Sequence, residues 1–298
     1  MALEVICLFV LQKALFSLWN LILTLQFLTY ISVWQIRYPK VLGFVLTKLR
    51  VIALGEFVDN LEIGKHLAEA LSIPSGGDKA VDEKIGEERL GQSSILANLG
   101  PSLLVLSIIF VLVILVVLLL TRCKNKCHNC VILIKRKVLY NPIIRYIILN
   151  SLKLTVASFV ALKAWNTATD IAISIGLIAI IAIAALTFFC LLKTNHENLK
   201  DSELVGKIGT LYQNNNVHFS THKTHYFPLS FFVRRFAFAS VTVYMLEKPQ
   251  IQMVIHHTLT MLAMSHLAFD SQAQASRGIR VIEIGSELLL HATSIILS

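Results

Sequence analysis

The chain has 298 residues, 55% of them hydrophobic and 15% charged, against about 25% charged in soluble domains. A mean hydropathy of +0.69 excludes a disordered or highly solvated chain and lies outside the usual soluble range. The formal net charge of +9 sits mostly beside apolar stretches, without a recognition helix or stacking motif. That distribution implies membrane topology and attraction to anionic inner-leaflet lipids rather than nucleic-acid binding.

The N-terminal MALEVICLFVLQK has no basic n-region and no small-residue cleavage site, so no removable signal peptide is expected. The first span is expected over 15–34. It is closed at an interface by Trp34 and Tyr38 and stopped by Pro39, since Tyr and Trp keep apolar rings in lipid and polar tips in water. Asn20 and Gln26 give it a polar face suited to other helices. A long extramembrane loop, 35–100, follows. Its VLGFVLTKLRVIAL portion suits the membrane surface, and PSGGDKAVDEKIGEER, Pro74–Arg89, reads as solvated loop.

Ser102–Leu120, SLLVLSIIFVLVILVVLLL, is the clearest second span. Its 19 residues make about 28 Å of helix against about 30 Å of hydrocarbon, and it is apolar on every face. Further spans are expected at 147–162, 171–192, 229–246, 251–269 and 281–297. Gly and Ala in the 171–192 segment permit close approach to a neighbouring helix.

The expectation is therefore an all-α integral membrane protein: one multi-pass domain, 1–298, built as a helical bundle of about seven transmembrane helices. The chain stops at Ser298, seventeen residues into the last span; the favoured expectation is a truncated product or an incomplete gene model, a fragment of a larger protein, with a natural terminus as the alternative.

Charge sets the sidedness. The loop 122–146 has seven Lys or Arg and no acid: Arg122, Lys124, Lys126, Lys135, Arg136, Lys137 and Arg145. Residues 35–100 have eight Lys or Arg against nine acids. Short basic loops stay in the cytosol, so the N-terminus and the loops 122–146 and 193–228 are expected inside. Arg37, Lys40, Lys48 and Arg50 would then lie outside, against the rule, although long loops obey it poorly. No Asn-x-Ser/Thr sequon fixes the sidedness independently.

Leu18–Pro39, Gly209–Gln213 (GTLYQ) and Phe227–Gln252 (FPLSFFVRRFAFASVTVYMLEKPQIQ) together resemble the multi-pass, transient-receptor-potential-like C-terminal region of large ciliate-type protist membrane proteins. IEIGSE, Ile282–Glu287, stands at that pattern's acidic helix, with Ser286 where Asn is more usual. The usual Cys-rich extracellular repeats are not in this sequence. The resemblance covers most of the chain and implies channel-like architecture, in the plasma membrane by preference and compatible with a homo-oligomer.

Arg234 and Arg235 fall inside the 229–246 span, where a charge costs about 2.5–3.5 kcal/mol on insertion scales. They either snorkel to the headgroups or pair with Glu283 and Glu287, which are i, i+4 neighbours on one face of the last span. Cys123, Cys127 and Cys130 lie against the second span, where S-acylation is the expected modification. With only His128 beside them, a zinc site is the weaker alternative to acylated or free thiols. His218, His222 and His225 suit a solvated loop. His256, His257 and His266 suit hydrogen bonds between helices or a wet pathway.

No phosphate loop, Gly-x-Ser-x-Gly or His-Glu-x-x-His motif occurs. No enzyme activity, cofactor or metal is therefore expected. The functional alternatives are a channel-like protein and a non-conducting anchor or scaffold. In the second case the basic 122–146 loop would bind anionic lipid or a partner protein.

Overall fold

The computed structural model describes residues 21–31, 44, 111, 115, 141–164, 168–195, 198–199, 201, 204, 208–211, 226–269 and 277–297. Among them the chain is all-helical. The helices are α1 (Leu21–Ile31), α2 (Asn141–Ala164), α3 (Ala168–Thr194), α4 (Tyr226–Tyr244), α5 (Pro249–Phe269) and α6 (Arg277–Leu297). A 3-10 turn lies at Gly209–Leu211.

Two stretches are long and apolar enough to cross a bilayer: Ile144–Ala164 and Ala168–Thr194. The expected span at 102–120 lies outside the described residues except for Val111 and Leu115, which are helical and exposed. So do nearly all of the loop 35–100 and the basic segment up to residue 140.

Helices α2 to α6 each start before the apolar stretch that predicts them, while α4 ends at Tyr244, short of the expected 246. The expected loop 122–146 is corrected at its end, because α2 already starts at Asn141. Asn141 stands at the helix start with Pro142 in the first turn, and the missing N–H of a proline there costs nothing. Hydrophobicity marks only the part of a helix that must avoid water, whereas backbone hydrogen bonding continues into polar turns.

Three residues, 165–167, join α2 to α3, so the two pack as antiparallel neighbours. The join from α4 to α5 is as tight. Lys248 N donates to the Met245 carbonyl at 2.9 Å, and Ile251 N donates to Lys248 at 3.0 Å. Pro249 then opens α5.

Cross-helix contacts give the remaining directions. On α4, Arg235 meets Ile148 of α2, and further along Val243 meets Lys163 of α2, so α2 and α4 run parallel. On α6, Glu287 meets Arg234 and His291 meets His257. The five helices α2 to α6 therefore alternate up and down, with α2, α4 and α6 pointing the same way.

The core has two tiers. One gathers Ile144, Ile181, Phe188, Leu192, Leu211 and Phe232 where α2 and α4 begin and α3 ends. The other packs Leu25, Phe27, Leu28 and Ile31 of α1 against Leu152, Val156 and Val160 of α2, Phe238 and Val243 of α4, Met253 of α5 and Leu290 of α6. From Thr24 to Ile31 every α1 residue is buried, Gln26 included, as its polar face predicts. The short helix is the axle of the bundle.

The α3 helix is different. Ile175, Ile180, Ile183 and Leu186 are all more than half exposed. The expected close approach through its glycine is also corrected: a Cβ at Gly176 would meet nothing within 4 Å. Its small residues lie largely on the open side, with Ala172, Ala179 and Ala182 exposed, while Ala185 packs inward.

Candidate functional site

Polar side chains converge on the middle of α4. Arg235 stands nine residues from either end of this 19-residue helix, about 13 Å at 1.5 Å per residue. It is 1% exposed, and the largest fully buried side chain among the described residues. Its guanidinium lies 4.4 Å from the Phe231 ring centroid and 5.7 Å from that of Phe27. Flat faces of this kind suit a planar, weakly hydrated cation.

One nitrogen, Nη1, does all the bonding. It donates to the Ile148 carbonyl at 2.9 Å, to the Leu149 carbonyl at 3.4 Å and to Ser151 Oγ at 3.0 Å. Ser151 itself donates back to the Ile148 carbonyl at 2.8 Å. That carbonyl therefore serves a hydroxyl and a guanidinium in addition to its place in the helix. Ser151, Thr155 and Ser158 form a buried hydroxyl stripe on α2, and small side chains in such a stripe let a neighbouring helix approach closely. Thr155 and Ser158 donate to carbonyls one turn back, at 2.6 and 2.8 Å, so burying them leaves no hydroxyl donor unpaired.

Arg234 turns the other way. Consecutive residues on a helix are about 100° apart, so adjacent arginines cannot share one partner face. Arg234 forms a bidentate pair with Glu287 of α6, at 2.5 and 2.6 Å, and its guanidinium sits 5.0 Å from the Phe27 centroid. The side chains are 19% and 13% exposed, so the pair is largely desolvated.

The expected pairing of both arginines with the two glutamates is thus corrected for Arg235, whose acceptors are α2 carbonyls and a serine. Snorkelling does not describe it either, because its head ends inside the bundle. The side chain of Glu283 lies outside the described residues.

From Glu287 the polar run continues. His291 is one helical turn further along α6 and meets His257 of α5, with the Nδ1 atoms 3.1 Å apart and the rings 80° from parallel. One ring donates and the other accepts. His256 is 2% exposed and stacks edge-on against Phe238 at 5.5 Å. Gln252 donates to the Val241 and Thr242 carbonyls at 3.2 and 3.3 Å, and Lys163 donates to Val243 at 3.0 Å. Two side chains from neighbouring helices thus serve carbonyls at the α4 C-terminus, where backbone donors run out; the Val241 carbonyl also accepts from Met245 N at 3.1 Å.

Arg145 is half-buried in the second turn of α2. The other basic residues of its segment (Arg122, Lys124, Lys126, Lys135, Arg136, Lys137), the cysteines Cys123, Cys127 and Cys130, and His218, His222, His225 and His266 lie outside the described residues or have undescribed side chains. Among the described residues no three His, Cys, Asp or Glu side chains converge as a metal site.

Sequence reasoning missed Ser151, Gln252 and His291. The hydroxyl spacing Ser151, Thr155 and Ser158 on α2 is a signal that could have marked a polar seam there. No protein-family model matches the chain, and neither the curated proteins nor the solved structures include a significant match.

Proposed function

We propose that this chain is a multi-pass integral membrane protein with channel-like architecture. Helices α1 to α6 together with the 102–120 segment would form its seven spans. The observation that carries this reading is the string of polar groups inside an otherwise apolar bundle. Arg234, Arg235 and Glu287 sit at mid-height. Gln252 Oε1 and Thr260 Oγ1 are buried on α5 without an acceptor or donor from the protein.

A helix bundle that only anchors a chain gains nothing from such groups, each of which costs about 1–3 kcal/mol when unsatisfied. In membrane proteins, intramembrane charges mark ion and substrate pathways. The alternating directions of α2 to α6 suit successive crossings, and the exposed isoleucines of α3 suit lipid contact. The resemblance to the ciliate-type, transient-receptor-potential-like region supports the same reading, with the plasma membrane as the favoured site.

The test is reconstitution of the purified chain in liposomes, with ion flux recorded under voltage, stretch and candidate ligands. Flux in the wild-type protein that changes rate or selectivity in Thr260→Val or Gln252→Leu supports the proposal. A silent bilayer under all three stimuli removes it. If the basic segment containing Arg122–Arg145 then binds anionic vesicles strongly and salt-sensitively, the anchor or scaffold reading takes its place.

A further inference from the structure

The guanidinium of Arg235 has two kinds of edge. Nη1, on the side facing α2, is fully engaged. Nε and Nη2 are both buried and have no protein acceptor. Those two atoms form the side edge of the guanidinium, with parallel N–H bonds that match the two oxygens of a carboxylate or a similar planar anion. Arg235 makes no ion pair among the described residues, whereas its neighbour Arg234 is neutralised by Glu287. The centre of the bundle therefore holds one uncompensated positive charge, on a side chain that is 1% exposed.

An uncompensated buried charge destabilises a fold by several kcal/mol, and a water molecule would satisfy its donors without cancelling the charge. We propose that the Nε–Nη2 edge of Arg235 binds a small, planar, monovalent oxyanion inside the bundle, on the edge of the guanidinium that the α2 acceptors leave free. Phe27 and Phe231 border the guanidinium, so the ligand enters in the plane of the fork rather than over its faces. Both atoms are closed off from solvent, so the ligand must be small and the neighbouring side chains must shift to admit it. Formate, nitrate and acetate suit such a site; gluconate does not. This binding site stands on the Arg235 geometry alone and holds whether or not the bundle conducts.

The experiment uses the whole chain in detergent, exchanged into sodium gluconate. Thermal unfolding is followed as formate, nitrate, acetate or chloride replaces gluconate at constant ionic strength. Formate and nitrate are expected to raise the midpoint saturably, by roughly 5 °C at saturation, and chloride by clearly less because one atom cannot occupy both donor directions. Arg235→Lys keeps the charge but loses the fork, and should lose the preference for planar anions over chloride.

Equilibrium dialysis of radiolabelled formate against the wild-type protein, with nitrate as competitor, provides a readout that needs no variant to fold. About one displaceable formate per chain is expected. No saturable binding, an equal response to chloride, or an unchanged response in Arg235→Lys overturns the proposal. Loss of anion binding would leave the flux assay untouched as a test of conduction, so the two readings fail separately.

Discussion

At the scale of single residues, the bundle treats its two arginines in opposite ways. Arg234 and Glu287 form a desolvated, bidentate ion pair. Removing one partner should strand a charge and cost about 3–5 kcal/mol, while replacing both should cost less. We expect Glu287→Gln to lower the folded yield in detergent and Arg234→Gln on top of it to restore part. A double-mutant cycle with no coupling energy would show that the pair contributes nothing.

The His257–His291 contact makes a second residue-level claim. Either alanine substitution removes one neutral hydrogen bond between α5 and α6, worth about 1 kcal/mol. The two substitutions should therefore be less than additive in thermal unfolding. Strict additivity would show that the rings do not share a proton.

The legibility of these contacts follows from their chemistry. Glu287 was legible because a carboxylate inside an apolar span needs a cation, and Arg234 is available at matching depth. The partners of Arg235 were not, since the carbonyls of Ile148 and Leu149 belong to every residue type and leave no trace in a sequence. His291 escaped notice because an isolated histidine in an apolar helix carries no partner signal until the facing helix is placed.

At the scale of elements, α3 and α4 respond differently to small changes. Gly176 has open space where a Cβ would be placed, so Gly176→Ala should stabilise α3 by about 0.5–1 kcal/mol through reduced backbone entropy of the unfolded chain. A loss of stability would mean that this face meets a neighbour, such as the 102–120 segment or a second copy.

Lys163 and Gln252 both donate to carbonyls at the end of α4. Lys163→Met removes a cationic donor from a helix C-terminus. It should cost about 1–2 kcal/mol and increase amide exchange in the turn at 245–248.

Apolar runs predicted the last five helices as elements, because stretches such as IGLIAIIAIAAL in α3 leave few alternatives. Their ends were less legible. The first turns of α2 and α4 contain Asn141, Pro142, Tyr226 and Pro228, which a hydropathy reading assigns to loops and the backbone includes in the helix.

At the scale of the whole molecule, the alternation of α2 to α6 makes a directional prediction for the membrane reading. Lys193 closes α3 at the same end as the starts of α2 and α4, while Lys248 lies at the opposite end. Single cysteines at these positions should react with a membrane-impermeant maleimide from opposite sides of sealed vesicles. Labelling from the same side would contradict the proposed topology. On the proposed topology the Lys193 end is the cytosolic one, as the net basic charge of the 122–146 segment would require.

The enclosure of α1 has a consequence for biogenesis. The residues from Thr24 to Ile31 leave the ribosome before any of the helices that enclose them, and Phe27 ends up against both arginines of α4. Until α4 is synthesised, this helix has exposed Thr24, Gln26 and Thr29 and lacks the surfaces that bury them. The nascent chain must therefore hold its first described helix unfinished across some two hundred residues of synthesis. An insertion chaperone that shields polar helix faces would have its longest engagement there, and substitutions in α1 should prolong that hold before they alter the finished bundle.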